Sequence, residues 1–231
     1  RACMTQSGER TVISLGGSLV VPDGVDVAFL RAFKELIEAR VATGEKFVII
    51  VGGGKTARIY IQAEQELSAM SEKAQDWLGI YATRFNAEFV RLMFGEHAFK
   101  SVVIDALVPE TEKAIVVGAG VKPGQSTDAV AVAIAKETGA KKVLNLSNTN
   151  YVYDKDPKTN PDAQVLKTLT WSQYRTLIPT EWQPGLSTPF DPTASKEAQE
   201  AGLQVMIING AKLDEVRKCL AGEAFDGSVI G

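Results

Sequence analysis

Three glycine turns in this 231-residue chain each stand where an apolar run gives way to a helical pattern. Gly16-Gly17-Ser18 follows Val12–Leu15, and Gly52-Gly53-Gly54-Lys55 follows Phe47–Val51. The third, Gly118-Ala119-Gly120-Val121-Lys122-Pro123-Gly124-Gln125-Ser126-Thr127-Asp128, follows Ala114–Val117. Glycine lets main-chain N–H groups close around an anion, and the positive end of a following helix adds attraction. A single turn of this kind is accounted for by tight strand–helix geometry. Three at strand ends point to a crevice for more than one phosphate, and phosphoryl transfer is the chemistry such a crevice serves.

Positive charge stands where phosphates need it. Lys55 and Arg58 fall in the first turn of the helix after Gly54, and Arg58 can fork onto two phosphate oxygens as a lysine cannot. Lys122 lies within the third turn, either facing phosphate or as a solvated surface charge. Asp128 opens a helix, where it either complements the positive helix end or orients lysines or magnesium near the transferred group. Asp76 also begins a helix, as an acceptor for ribose hydroxyls or as a cap. Trp77, Leu78, Tyr81 and Phe85 read as core or subunit contacts. Tyr151 and Tyr153 read as purine-stacking rings or as ordinary partly buried loop tyrosines.

Two familiar nucleotide fingerprints do not fit. After Gly118-x-Gly120 the third glycine arrives one position late, at Gly124, and no acidic residue closes a following strand to hold a ribose. Gly52-Gly53-Gly54-Lys55-Thr56 lacks the leading glycine of a P-loop.

The elements that must position these residues alternate. Strands are expected at Val12–Leu15, Phe47–Val51, Ser101–Ile104, Ala114–Val117, Lys142–Leu146, Gln204–Ile208 and Gly227–Ile230. Helices are expected at Val27–Thr43, Thr56–Leu67, Ala74–Phe94, Thr127–Thr138, Trp171–Leu177, Asp191–Ala201 and Leu213–Leu220. Phe47–Val51 is wholly apolar, as a parallel strand buried on both faces should be. Repeated strand–helix order implies an α/β fold, a parallel sheet with helices on both faces. Asn148 to Pro189 is dense in turn formers, so loops are expected around its one short helix. No repeat or low-complexity linker divides the chain. It reads as one compact domain with an N-terminal lobe to about Leu107 and a C-terminal lobe over about 108–231.

Composition narrows the function. A hydrophobic share of 45% supports a sizeable core, and a net charge of -3 argues against a surface that coats nucleic acid. No apolar run reaches the length of a membrane span, and no signal peptide is read at the start; Arg1-Ala2-Cys3 reads as residues ahead of a natural start at Met4. Cys3 and Cys219 form no CxxC and fit a reducing cytosol, and the lone His97 reads as a surface or capping residue.

Taken together, these segments resemble the amino-acid kinase superfamily, most closely the uridylate (UMP) kinases of the archaeal type. Ser14-Leu15-Gly16-Gly17-Ser18 and Val51-Gly52-Gly53-Gly54-Lys55-Thr56-Ala57-Arg58 match the superfamily. Asp76-x-Leu78-Gly79-Ile80-x-Ala82-Thr83-Arg84-x-Asn86-Ala87 and Pro123-Gly124-x-Ser126-Thr127-Asp128-Ala129-Val130-Ala131 are specific to the UMP kinases. Asn148-x-x-x-Val152-Tyr153-x-x-Asp156-Pro157 and Phe190-Asp191-Pro192-x-Ala194 complete the likeness, which runs from Val12 to the C-terminus. Isopentenyl phosphate kinases carry a histidine after the second glycine turn, absent here, and acetylglutamate and aspartate kinases lack the Asp76–Ala87 pattern.

The resemblance implies a three-layer αβα sandwich, magnesium-ATP as donor, UMP as acceptor in pyrimidine nucleotide biosynthesis, and a homohexamer in the cytoplasm. By position it implies that Gly16, Gly17 and Ser18 cradle the ATP phosphates. Gly53, Gly54 and Arg58 then lie between the two nucleotides, Asp76 holds the UMP ribose, and Val121, Lys122, Pro123, Gly124, Gln125, Ser126 and Thr127 form the uridine-side wall. Ser147, Tyr153 and Asp156 match ATP-binding positions, Asp128 matches the acid that organises the reacting phosphates, and magnesium is held through the ATP phosphates. The chain departs from the family at Ser14, where many members carry lysine; Lys55 and Lys196 are the candidate replacements. It departs again at Asn148-Thr149-Asn150-Tyr151, where Asn-Val-Asp-Gly is usual, and in the Trp182-Gln183-Pro184-Gly185 loop. The rival expectations are a non-catalytic nucleotide- or oxyanion-binding protein on the same fold, and a kinase for another small phosphate or carboxylate.

Overall fold

A computed structural model of the chain describes residues 10–68, 70–181 and 188–231. Cys3, the proposed start at Met4 and the Trp182–Gly185 loop lie outside the described residues.

Among the described residues, seven strands form one sheet: β1 (Arg10–Leu15), β2 (Lys46–Val51), β3 (Ile115–Gly118), β4 (Lys142–Ser147), β7 (Thr168–Leu169), β8 (Gln204–Asn209) and β9 (Ser228–Ile230). Their order in space is β3-β2-β1-β4-β8-β9-β7. The first five in space, β3, β2, β1, β4 and β8, are parallel; β9 runs antiparallel to β8, and β7 runs parallel to β9. A separate antiparallel pair joins β5 (Val152–Tyr153) to β6 (Val165–Leu166) within the turn-rich segment.

Side-chain alternation separates two cores. Val12, Val48, Ile50, Val116 and Val143 face one side, packed against α5 (Thr127–Thr138), α6 (Trp171–Thr176) and α7 (Pro192–Glu200). Ile13, Leu15, Phe47, Ile49 and Leu144 face the other, with α1 (Gly17–Val20), α2 (Val27–Val41), α4 (Glu72–Phe94) and α8 (Leu213–Leu220). The result is the expected α/β sandwich of three layers. The remaining helix, α3 (Gly54–Leu67), buries none of its residues fully and lies along α4 and α1.

Differences from the sequence reading are local. Ser101–Ile104 forms no strand; only Val103 makes a single bridge, to Gly118, because Ile104 is exposed and the segment runs past the sheet edge. The short α1, the β5–β6 pair and the edge strand β7 are additions that periodicity does not announce. His97 is exposed in a single 3-10 turn after α4. Trp77, Tyr81 and Phe85 are exposed rather than core; Phe85 is 72% exposed.

What positions a site is the strand order. The chain steps from β1 to β2 to β3 in one direction, then crosses back to place β4 on the other side of β1. Strand order reverses between β1 and β4, and the C-terminal strand ends at such a reversal are where sheets of this kind bind ligands. Register puts the glycine turns there together: Leu15 pairs with Val51 on one side and Leu146 on the other.

Candidate active site

The first two glycine turns interlock. A Cβ on Gly52 would stand 2.6 Å from the Gly17 nitrogen, and one on Gly17 would stand 2.6 Å from the Gly52 oxygen. Gly54 adopts φ +56°, a region that side-chain-bearing residues avoid. The glycines therefore serve first to let two backbones touch, and only then to face a ligand. Gly16 N–H donates to the Leu146 oxygen (2.7 Å) and Gly52 N–H to the Leu15 oxygen (2.9 Å), which fixes both turns on the strand ends. The N–H groups of Gly17, Ser18, Gly53 and Gly54 have no main-chain acceptor among the described residues. Unpaired donors at the starts of α1 and α3, brought together by the contact of Gly17 with Gly52, make a candidate anion cradle.

Asn86 holds that cradle from below. Its Nδ2 donates to the oxygens of both Gly52 and Gly53 at 2.9 Å, and its Oδ1 accepts from Thr56 Oγ1 at 3.1 Å. Sequence reading places Asn86 in a matching motif without a role; a buried amide on a helix face is the available signal. Arg58 is exposed one turn into α3, on the same face as Gly54. Lys55 is drawn to Asp23 at 3.6 Å, and Lys196 is exposed on α7.

A polar cluster lies where β1 pairs with β4. Ser14 and Asn145 are register partners, and both project to the α5 side, like Val12 and Val143. Ser14 Oγ donates to Asp128 Oδ1 at 2.9 Å, Asn145 Nδ2 donates to the same oxygen at 3.3 Å, and Asp191 N–H approaches Oδ2 at 3.4 Å. Asp191 caps α7 by accepting from Ala194 N–H at 2.8 Å, and also accepts from Ser126 Oγ. Ser126 in turn caps α5. Tyr174 OH clamps the adjoining Phe190, bonding both its oxygen and its N–H at 2.7 Å.

These contacts leave Asp128 beside a second carboxylate with hydroxyl and amide partners. Burial, then the Asp191 charge, pushes the Asp128 carboxyl up to about 7; burial pushes Asp191 up to about 6. Ser14, a departure from the family in sequence, is thus built into the site as a donor. Asn145 and Asp191 have no role assigned from sequence; an amide inside an otherwise apolar strand is the signal for the first.

The third turn lies against α4. Asp76 Oδ2 accepts from Gly124 N–H at 2.8 Å, and Thr83 Oγ1 accepts from Gly120 N–H at 2.9 Å. Gly120 has to be glycine, since a Cβ there would meet that same hydroxyl at 2.9 Å. Lys122 is exposed, Val121, Pro123, Gln125, Ser126 and Thr127 are half-buried, and Gly124 turns at φ +79°. On the opposite side, Ser147 ends β4 and accepts from Thr149 N–H at 3.1 Å, while Tyr153 meets Tyr151 edge to face at 6.0 Å. Tyr151 OH bonds Asp226 at 2.5 Å, so the unusual Asn150-Tyr151 pair is tied into the fold. Asp156 sits in an exposed turn and accepts from Lys158 N–H at 2.9 Å.

This arrangement, a candidate anion cradle on β1 and β2, a carboxylate at the switch point and a loop wall on α4, coincides with a family match over residues 9–209 to the Amino acid kinase family. The chain belongs to the amino acid kinase family. Uridylate kinases are among its relatives. That of Thermococcus kodakarensis is 35% identical over 205 residues, covering 86% of this chain and 89% of the relative. That of Methanobrevibacter smithii is 32% identical over 225 residues, covering 96% and 99%. The crystal structure of uridylate kinase from Archaeoglobus fulgidus superposes with a TM-score of 0.81 at 33% identity, covering 96% of this chain and all of that one (100%). The amino acid kinase sandwich, archaeal type, is therefore the frame in which every residue above is placed.

Proposed function

We propose that this amino acid kinase transfers the γ-phosphoryl group of ATP to a phosphate oxygen of UMP, giving UDP and ADP for pyrimidine nucleotide synthesis in the cytoplasm. The observation that carries the reading is the interlocked pair of glycine turns, whose N–H groups find no main-chain acceptor, on the strand end where Ser14 bonds Asp128. A phosphate acceptor is ionised at neutral pH, so the reaction needs alignment and charge neutralisation rather than a strong base. Gly16, Gly17 and Ser18 bind the donor phosphates; Gly53, Gly54, Lys55 and Arg58 lie between donor and acceptor. Asp76 and residues 121–127 hold UMP, with the acceptor lobe ending near 107. Ser147, Tyr153 and Asp156 hold ATP. The Asp128 carboxylate, with Asp191 beside it, offers the oxygen ligands that suit Mg2+, a hard cation, arriving with the ATP phosphates. Asp128 would hold that ion, which would supply charge neutralisation on the phosphate oxygens.

Arg58→Ala should lower kcat/KM more than tenfold, about 1.4 kcal/mol of transition-state stabilisation; unchanged kinetics would remove Arg58 from the site. A coupled ADP-release assay with UMP, CMP, dUMP and AMP tests the function itself. Turnover selective for UMP supports it, and ATP binding without turnover of any acceptor overturns it in favour of a binding role. The exposed Tyr60, Tyr81, Phe85 and Leu92 on α3 and α4 form a face that the homohexamer would cover. Phe85→Glu should then shift the sedimentation coefficient toward a smaller species; a wild-type monomer would contradict that assembly.

A further inference from the structure

Arg84 makes contacts that none of the roles above uses. Its Nε donates to the Gly120 oxygen at 3.2 Å and its Nη2 to the Val121 oxygen at 3.0 Å. The guanidinium is placed for this by its own helix: Trp77, Tyr81 and Arg84 follow at spacings of four and three, so they share one face of α4. The guanidinium carbon lies 5.9 Å from the Trp77 ring centre and 5.5 Å from that of Tyr81. Cation–π contact with two rings and a fork onto two successive carbonyls restrict the side chain far more than a surface arginine.

Peptide geometry carries the consequence. In a trans peptide, the carbonyl of one residue and the N–H of the next point in opposite directions, and the described chain has no cis bond. Carbonyls of Gly120 and Val121 drawn toward Arg84 therefore turn the N–H groups of Val121 and Lys122 away from α4. Neither N–H has a protein acceptor among the described residues. Thr83 fixes the loop at Gly120 and Asp76 at Gly124, so Arg84 sets the peptide planes between two anchored ends.

We propose that Arg84 is the positioning residue of the acceptor loop: it orients two consecutive peptide units so that the Val121 and Lys122 N–H groups face the acceptor nucleotide. The inference rests on the UMP kinase reading. Arg84 touches no reacting atom and acts through the loop. Lysine replaces it poorly, because a point ammonium on a flexible stem lacks the rigid planar fork that holds both peptide units in one orientation.

Arg84→Ala and Arg84→Lys test it against wild type, by steady-state kinetics in each substrate and by calorimetric titration of UMP without ATP. Both variants are expected to raise KM and Kd for UMP at least tenfold, with KM for ATP within twofold and Tm little changed for Arg84→Lys. An unchanged KM for UMP in Arg84→Lys overturns the proposal, as does an equal rise in both KM values with a lowered Tm. Wild-type protein that neither binds nor phosphorylates UMP overturns the underlying reading instead, and the proposal with it.

Discussion

Replacing Asp128 by asparagine is expected to make the protein more stable and much less active at pH 8. The carboxyl sits beside Asp191 with no lysine at position 14 to balance it, and its pKa rises to about 7 because of burial and then that neighbouring charge. The sign follows from proton counting. Between about pH 4 and 7 the folded state holds a proton that the unfolded chain has released, so stability falls as pH rises through that window. The slope reaches about 1.4 kcal/mol per pH unit while one proton separates the states. The side-chain amide of Asp128→Asn keeps an acceptor for Ser14 and Asn145 while removing the charge. The variant should gain roughly 1–3 kcal/mol at pH 8 and flatten that limb. In the proposed role of Asp128, organising the reacting phosphates, its removal should lower kcat about a hundredfold, roughly 2.7 kcal/mol. In the wild type, kcat should rise with pH through the range in which the Asp128–Asp191 pair ionises, as two interacting sites titrating together. Chemical denaturation at pH 5 and 8, alongside the kinase assay, reads all of this. A variant with wild-type kcat, or one less stable at pH 8, refutes the account.

The second large effect belongs to Gly17→Ala. A methyl there runs into the main chain of Gly52 and Gly54, which belong to a different loop and cannot yield like a side chain. The two turns must part, which should cost about 3 kcal/mol or more, and displace the unpaired N–H groups proposed above to bind phosphate. At roughly 2–4 °C per kcal/mol for a chain of this size, Tm should fall by about 6–12 °C. Activity should fall at least a hundredfold. Gly24 is the control, since a Cβ there meets nothing within 4 Å. Gly24→Ala should stay within about 0.5 kcal/mol of wild type. Full activity in Gly17→Ala would show that the cradle tolerates separation of the turns.

Local pattern made most of the fold legible. Runs such as Phe47–Val51 and the helical spacing of Phe29, Leu30, Phe33, Leu36 and Ile37 are set by short-range periodicity, and each lies in the element expected of it. The glycine turns were visible for the same reason, as residues that end one element and begin another. Less legible were pieces whose structure depends on distant partners. Ser101–Ile104 has strand-like composition, but only Val103 finds a neighbour to pair with. Trp77, Tyr81 and Phe85 are apolar, yet all three stay exposed on α4 rather than entering the core.

The same division holds at the site. The amino-acid sequence by itself determined which residue types stand at the strand ends: glycines, Arg58, Asp76 and Asp128, each in a recognisable local setting. Only the tertiary structure decided that Gly17 and Gly52 touch, that Ser14 and Asn145 meet Asp128, and that Asp191 stands close enough to alter it. Their separations in sequence run from 17 to 114 residues for the Asp128 contacts, and they become neighbours only because the chain reverses strand order between β1 and β4. Local periodicity says which way a side chain points from its own element. Which side chain waits opposite is settled by sheet order and register, and these follow from burying both faces of the whole sheet at once.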